Sequence, residues 1–361
     1  MRAIDAFHRL LPIAKASHVR LVALNRRGYA GSTPFSEEET SLLDPLSSVT
    51  SAEDQTPSTT TRSNRVVSAH YTTFLQQRGA EMARFLVWFI EKEKIPLRFN
   101  DAGRASGGIS LLGYSLGNVT TLSMLAFAST LDPGLMKKLE PYLRKVIIFG
   151  KSLRRDVCGI CINPAPMYLI DPPHHALGYL TPENSYNPLF DPEIPMDNRQ
   201  SKFGTWVSSY FIHSPSVQDL ATPVRDLMKG PIEQRIPHPL KKATVTNFTS
   251  EDRLTIVEIV SQSHGDAFSF GEHARPVHEA VRIRAIFGNL NETSAPLVLP
   301  KVDISYIWCT ESVWEAVLAM RLLQYDITSP PDHYYLARSV RFIPLEGGNH
   351  LVRNKLKKTP R

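Results

Sequence analysis

The sequence predicts an α/β protein with a doubly wound, mostly parallel sheet, helices on both faces and a mainly helical cap. Short apolar runs alternate with stretches of helical apolar spacing over residues 19–149 and again over 303–346, which is the pattern of parallel βαβ units. Residues 172–250 break this alternation and are dense in proline. The 361 residues, 42% hydrophobic and 21% charged, are enough to build a large globular core.

The first elements of the chain are a helix, a strand, a loop and a long helix. Residues 3–16 carry apolar side chains on one helical face, and "VRLVALN" (19–25) has the continuous apolar character of a buried strand. Residues 46–66 are rich in Ser and Thr and poor in apolar residues, which predicts a mobile surface loop. Apolar residues at helical spacing predict a helix over 68–93.

Two further strands and a helix complete the first half of the sheet. "GGISLLGYS" (107–115) is predicted as a strand, "LGNVTTLSMLAFAST" (116–130) as a helix and "LRKVIIF" (143–149) as another buried strand. Short apolar runs of this kind, flanked by Gly or Pro, are typical of central strands.

The last third of the chain returns to the same alternation. Helical pieces are predicted over 251–285, a strand over 303–309, a helix over 312–326 and a final strand over 339–346.

These elements divide the chain into two parts of one core with a cap between them. Residues 1–171 form the first part of the core, 172–298 the cap or lid, and 299–361 the second part of the core. Within the first part, 150–170 is an atypical insert, with two prolines, a C-x-x-C pattern and little periodicity.

Charge and cysteine content narrow the class of protein. The net charge is +6, but no basic stripe is interleaved with aromatics, so we expect no nucleic-acid partner. Three cysteines cannot form a disulfide framework, and the first 25 residues hold no apolar run long enough for a signal peptide or a membrane span. We expect a cytoplasmic protein with no membrane span, and the sequence makes no prediction of its oligomeric state.

The stretch "GYSLG" (113–117) places Ser115 between a predicted strand and a predicted helix. A nucleophilic serine on such a sharp turn exposes its hydroxyl at the carboxyl end of the sheet, and glycines on either side let strand and helix approach. The backbone N–H of Leu116, at the start of the helix, is then a natural oxyanion donor. The alternative is an ordinary serine in a structural turn.

A serine nucleophile needs a base and a group that orients the base. His350, in "LEGGNH" after the last predicted strand, stands where a doubly wound hydrolase places its histidine. Two positions offer the acid: Glu311, after the penultimate strand, and Asp171, in "IDPPHHALG". Both precede His350 and follow Ser115 in the chain, so both remain open.

The chain resembles the α/β-hydrolase superfamily, and in particular a group of these hydrolases common in filamentous fungi and often encoded with secondary-metabolite genes. The resemblance is carried by "RLLPIAKASHVRLVALNRRGYAGSTPFS", "LLGYSLGN", "IDPPHHALGY" with "YNPLFDPEIP", "YIWCTESVWEAV" and "LEGGNH". It implies Ser115 as nucleophile, His350 as base and Asp171 as acid, with Glu311 as the rival.

The sequence departs from the family pattern at its N-terminal end and at the insert. Relatives carry early strands and a His-Gly loop that supplies a second oxyanion donor, so we expect this chain to be N-terminally truncated, with those strands missing. The insert at 150–170 separates the strand predicted over 143–149 from Asp171, although family members join the two almost directly. Our hypothesis is that this insert is unspliced intron sequence read as protein. Cys158 and Cys161 have no second ligand pair nearby, so no zinc or other metal is expected.

The function that these residues favour is hydrolysis of an ester, thioester or similar acyl bond through an acyl-enzyme, without a cofactor. The expected partner is an apolar small-molecule acyl substrate, with Trp206, Tyr210 and Phe211 as candidate pocket residues if they are not plain core. Two alternatives stay open: a non-catalytic or impaired protein of hydrolase fold that only binds, and a cyclase or lyase on the same fold.

Overall fold

A computed structural model of the chain gives its architecture. The structure describes residues 11–29, 31–43, 57–101, 104–143, 167–183, 185–214, 217, 219, 222–229, 235–249, 264–289, 299, 302–332 and 334–351.

The strands within this range are short and eight in number: β1 (Phe99–Asp101), β2 (Arg104–Ser106), β3 (Leu111–Tyr114), β4 (Met167–Ile170), β5 (Phe287–Asn289), β6 (Ile304–Cys309), β7 (Tyr334–Leu336) and β8 (Val340–Leu345). The α-helices of the same range are α1 (Leu11–Ala16), α2 (Glu37–Ser41), α3 (Pro57–Glu93), α4 (Asn118–Ala126), α5 (Pro133–Leu139), α6 (Met196–Val207), α7 (Val224–Leu227), α8 (His264–Ser269), α9 (Arg275–Ile286) and α10 (Trp314–Thr328).

A four-stranded parallel sheet forms the centre of the molecule, in the order β3-β4-β6-β8. Its register places Gly113 beside Leu169, and Leu169 beside Tyr306. Because all four strands run in one direction, their carboxyl ends meet at one edge of the sheet. The α/β class and the parallel sheet are therefore confirmed, while helices on both faces stay a prediction.

Alternate strand residues pack on opposite faces of the sheet, as the pleat requires. Met167 and Leu169 join the main hydrophobic core, to which α3, α4 and α9 contribute. Tyr168 packs on the other face with strand residues such as Ile307. A second core cluster joins α6 and α10 through Trp206, Phe211 and Trp314. Helix α9, in the predicted cap, is thus part of the main core.

Most predicted elements occur with end points shifted by a few residues. The helices at 68–93, 116–130 and 312–326 are observed as α3, α4 and α10, and the strands at 303–309 and 339–346 as β6 and β8. Helix α1 covers the described end of the predicted helix at 3–16. Among the described residues, no helix combines the length and the apolar character that crossing a bilayer requires.

The predicted strand at 19–25 is wrong. These residues form no strand or helix, and Val22 is 43% exposed. A strand needs a neighbour to pair its backbone N–H and C=O groups, and none of the described strands pairs with this segment. The apolar composition of residues 19–25 does not show whether a neighbouring strand is present.

The predicted mobile loop at 46–66 overlaps a helix. Residues 44–56 lie outside the described residues, but α3 begins at Pro57. Proline suits the first turn of a helix, where its missing N–H has no acceptor to lose. No further Pro or Gly follows until Gly79, so nothing in the sequence ends the helix between 57 and 68.

The last four residues of the insert predicted over 150–170 belong to the central sheet. Residues 167–170 are strand β4, hydrogen-bonded between β3 and β6. Leu143, at the start of the strand predicted over 143–149, makes a parallel bridge to Ile109. Residues 144–166, with Cys158 and Cys161, lie outside the described residues. The strand that leads into Asp171 is therefore "MYLI" (167–170) and not "VIIF" (146–149).

Candidate active site

Ser115 occupies a strained turn between β3 and α4. Its φ is +51°, in the left-handed region that side chains other than glycine rarely adopt. The chain passes from extended Tyr114 through one tight turn (Ser115–Gly117) into α4. Asn118 Nδ2 donates to the carbonyl oxygens of Ser115 (2.6 Å) and Ile170 (3.1 Å). This side chain ties the turn to strand β4 and so holds the strain.

The two glycines that flank the serine differ in the space available around them. A Cβ on Gly113 would lie 2.6 Å from Asn118 Oδ1 and 2.8 Å from Thr121 Oγ1, so the close packing of β3 on α4 requires glycine there. A Cβ on Gly117 would meet nothing within 4 Å. The expectation that both glycines let strand and helix approach is therefore confirmed for Gly113 and wrong for Gly117.

Ser115, His350 and Asp171 form one hydrogen-bonded chain. His350 Nε2 lies 2.8 Å from Ser115 Oγ, and His350 Nδ1 lies 2.8 Å from Asp171 Oδ2. Because a carboxylate only accepts, Nδ1 carries the proton and donates to Asp171. Nε2 is then the acceptor for the Ser115 hydroxyl. Asp171 is fully buried and His350 is 5% exposed, so the contact between them is shielded from water, while the contact to Ser115 is partly buried.

Asp171 is positioned by the backbone and by a neighbouring hydroxyl. It follows β4 directly and has a φ of +45°. Its Oδ1 accepts from the N–H of Cys309 (2.9 Å), and its Oδ2 accepts from Ser312 Oγ (2.5 Å). These donors satisfy the buried carboxylate beside the imidazole.

Glu311, the alternative acid, pairs with Lys241. Its Oε1 accepts from Lys241 Nζ at 2.6 Å. It lines a separate cavity of about 340 Å³ together with Glu346. Of the two candidate acids, the structure brings only Asp171 to the histidine.

Residues beside the predicted site residues fix the histidine's position. Tyr114 Oη donates to the His350 carbonyl oxygen at 2.7 Å. Asn349 Nδ2 donates to the Ser208 carbonyl oxygen (2.5 Å) and to Thr244 Oγ1 (2.8 Å). Tyr114 and Asn349 are not among the residues that the sequence pattern predicts for the site. The sequence offers one indication of their importance, because each stands next to a predicted site residue.

His213 supports the turn that contains Ser312. His213 Nε2 lies 2.8 Å from the Ser312 carbonyl oxygen, to which it donates. Burial lowers the pKa of His213, and the hydrogen bond to Ser312 opposes that shift. The neutral ring therefore anchors the backbone of the residue that donates to Asp171.

The N–H of Leu116 lies in the first turn after the serine. The N–H groups of a helical first turn have no acceptor within the helix, and the helix dipole makes this end attractive to negative charge. Leu116 follows Ser115 within the turn Ser115–Gly117, and its role as an oxyanion donor stays a prediction.

A cavity of about 530 Å³ borders the same turn. Its lining is mostly apolar and includes α3, the start of α4 and residues 24–35: Leu24, Phe35, Tyr71, Phe74, Leu75, Met82, Phe85, Leu116 and Val119. One part of its wall carries arginines that are already paired with carboxylates, as in Arg26 with Asp266 (2.8 Å).

The aromatic residues predicted for the substrate pocket lie elsewhere. Trp206 and Phe211 pack in the second core cluster, and Tyr210 is 5% exposed. None of the three lines the cavity beside Leu116. Phe211 borders the smaller cavity that contains Glu311.

Comparison of the chain with protein-family models, with curated proteins and with solved structures finds no match in any of the three.

Proposed function

We propose that this protein is a serine hydrolase of the α/β-hydrolase superfamily, which cleaves an ester, thioester or similar acyl bond through an acyl-enzyme. The observation that carries the proposal is the hydrogen-bonded chain from Ser115 through His350 to Asp171. A serine, a base within 2.8 Å and a buried acid that orients the base are the parts that activated serine chemistry needs.

In the first half of the reaction, Ser115 Oγ attacks the acyl carbon while His350 Nε2 takes the hydroxyl proton. The oxyanion that forms is stabilised by the N–H of Leu116. The bond to the alcohol or thiol then breaks, and His350 returns its proton to that leaving group. Asp171 stabilises the imidazolium that exists between these proton transfers.

In the second half, His350 takes a proton from water, and the resulting hydroxide attacks the acyl-serine. The ester bond to Ser115 breaks, the carboxylic acid leaves, and Ser115 Oγ regains its proton from His350. Atoms balance as acyl compound plus water giving acid plus alcohol or thiol, and no cofactor takes part.

The apolar cavity beside Leu116 supports an apolar acyl group as the substrate. Leu116, the residue after Ser115, and Val119 in α4 belong to its wall, whereas Ser115 and His350 themselves do not line it. At about 530 Å³ it has the size of a small-molecule pocket. Because its arginines are paired with carboxylates, the wall has little unbalanced charge with which to select an ionic substrate.

A fluorophosphonate probe tests the proposal directly. We expect the full chain to be labelled at Ser115 and the Ser115→Ala variant to escape labelling, with intact mass spectrometry as the readout. A series of p-nitrophenyl esters of increasing acyl length then reports the fit of the apolar cavity. A folded protein that is neither labelled nor active would support the non-catalytic alternative. Turnover that survives Ser115→Ala would support a cyclase or lyase.

A further inference from the structure

We propose that His174, His175 and Glu315 form a binding site for one Zn²⁺ ion or a similar divalent transition metal, separate from the serine site. One ligand atom of each residue lies within 4.8 Å of those of the other two. Two imidazoles and one carboxylate are a donor set that zinc favours. The inference stands independently of the hydrolase proposal, because it concerns other side chains and is tested by metal binding.

The distances are close to those of a bound ion. A triangle with sides of 4.8 Å has its centre about 2.8 Å from each corner, whereas Zn–N and Zn–O bonds are about 2.0–2.2 Å. Each donor therefore needs to move by less than about 1 Å, which side-chain rotation can supply. The three residues leave a fourth tetrahedral position for water or a further ligand.

The donor atoms of the histidines lack other partners. His174 Nδ1 and His175 Nε2 are buried and have no hydrogen-bond partner among the described residues. A buried polar atom without a partner is costly, and such atoms require an explanation. His174 itself is only 2% exposed, so bulk water does not satisfy its ring.

Neighbouring residues already orient two of the three ligands. Thr181 Oγ1 lies 2.9 Å from His174 Nε2, which leaves Nδ1 as the ring nitrogen of His174 without a hydrogen-bond partner among the described residues. Asn187 Nδ2 donates to Glu315 Oε1 at 2.9 Å. Hydrogen bonds from a second layer of residues to metal ligands fix ring orientation and tautomer in the same manner in metal sites.

The position of the cluster links it to the acid of the serine site. His174 and His175 follow Asp171 in the same short stretch, and Glu315 lies in the first turn of α10, just after Ser312. A metal ion here would join the two segments that Asp171 already bridges through its hydrogen bonds to Cys309 and Ser312. Its expected role is to hold these segments together.

The test is metal binding to the full chain in which Cys158 and Cys161 are replaced by Ser, so that this C-x-x-C pair cannot supply the ligands, while buried Cys309 is kept. We expect one equivalent of Zn²⁺ to bind in calorimetry and to raise the melting temperature. Co²⁺ should give visible absorption bands without the thiolate charge-transfer band. His175→Ala and Glu315→Gln should each weaken binding at least about tenfold, because even the loss of a residue that only orients a ligand costs about 10–100-fold.

His238→Ala is the matched control, since it removes a histidine outside the cluster and should leave Zn²⁺ affinity unchanged. The proposal is overturned if the chain with Cys158 and Cys161 replaced binds no Zn²⁺, or if it binds Zn²⁺ as tightly with both His175→Ala and Glu315→Gln in place. Circular dichroism of each variant shows whether it is folded. Glu315→Gln retains the size of the side chain, so it keeps the test decisive if an alanine variant unfolds.

Discussion

Ser312 Oγ donates a 2.5 Å hydrogen bond to Asp171 Oδ2, the same oxygen that contacts His350. Ser312 stands next to Glu311, the alternative acid, whose own carboxylate pairs with Lys241. The turn after β6 therefore supports the carboxylate of Asp171 and does not provide the acid itself. This relationship leads to the first two predictions.

Asp171→Asn should reduce kcat for ester hydrolysis by about 10³–10⁴-fold, because an amide presents the wrong partner to His350 Nδ1 and destabilises the imidazolium. Glu311→Gln is the matched control and should retain activity close to that of the unchanged chain. Steady-state kinetics on a p-nitrophenyl ester measures both. Loss of activity in Glu311→Gln with activity kept in Asp171→Asn would exchange the roles assigned to them.

Ser312→Ala should lower kcat by about tenfold and leave KM nearly unchanged, because a hydrogen bond to a charged group contributes about 1.5–3 kcal/mol and this one orients the acid. Ser209→Ala is the control. It also deletes a buried hydroxyl, which donates to the Thr205 carbonyl oxygen at 2.8 Å. Equal kcat values for the two variants would show that Ser312 has no positioning role.

Gly113→Ala should destabilise the fold by about 1–3 kcal/mol, because its methyl group would overlap Asn118 and Thr121 in a packed interface. Gly117→Ala should be neutral or stabilising by up to about 1 kcal/mol, since its φ of −59° suits any residue. Urea unfolding followed by circular dichroism measures both. Similar losses in the two variants would contradict the asymmetry seen around Ser115.

Stability should decline in mild acid because of buried His278. This imidazole contacts Tyr71 Oη (2.9 Å) and the His175 carbonyl oxygen (2.7 Å), and burial lowers its pKa from 6.5 to about 4. Below pH 6.5 the unfolded chain takes up a proton that the folded chain refuses, so the free energy of unfolding falls as pH falls toward 4. Above pH 6.5 this group contributes no pH dependence.

The expected loss from His278 is about 1–2 kcal/mol between pH 7 and about pH 5. Urea unfolding at several pH values, compared with His278→Gln, isolates its share from that of the other buried histidines. The variant should show the shallower dependence on pH. Parallel curves for the two proteins would mean that His278 does not titrate differently on folding.

Deletion of residues 145–166 should leave the sheet and the serine site in place. Leu143 bridges Ile109, and a continuous parallel strand would bring residue 145 opposite Leu111, where Met167 lies instead. Joining residue 144 to Met167 therefore preserves the register. We expect the shortened chain to fold with an equal or higher melting temperature, because a shorter connection costs less entropy. A shortened chain that fails to fold, while the full chain does, would refute this.

Local pattern was enough to locate several elements and two members of the candidate site. The apolar runs at β6 and β8 and the helical spacing of α10 are intrinsic to those segments, so the sequence predicts them without knowledge of the rest. Ser115 has a local signature in "GYSLG", and His350 has a fixed place in chain order after the last strand.

Chain order alone did not separate Asp171 from Glu311, since both lie between the serine and the histidine. The strand expected at 19–25 failed for a related reason: strand formation depends on a partner that the segment itself does not encode. The side chains of His174 and Glu315 come together from stretches far apart in the sequence.

The sequence by itself determined which segments are apolar enough to be strands or helices and where a serine turn lies. Only the tertiary structure decided which carboxylate meets His350, which glycine is indispensable and which histidines cluster. The physical reason is that hydrogen bonds and steric overlap act over about 3 Å. Residues that are remote in the sequence come that close only after the sheet has brought its strand ends together.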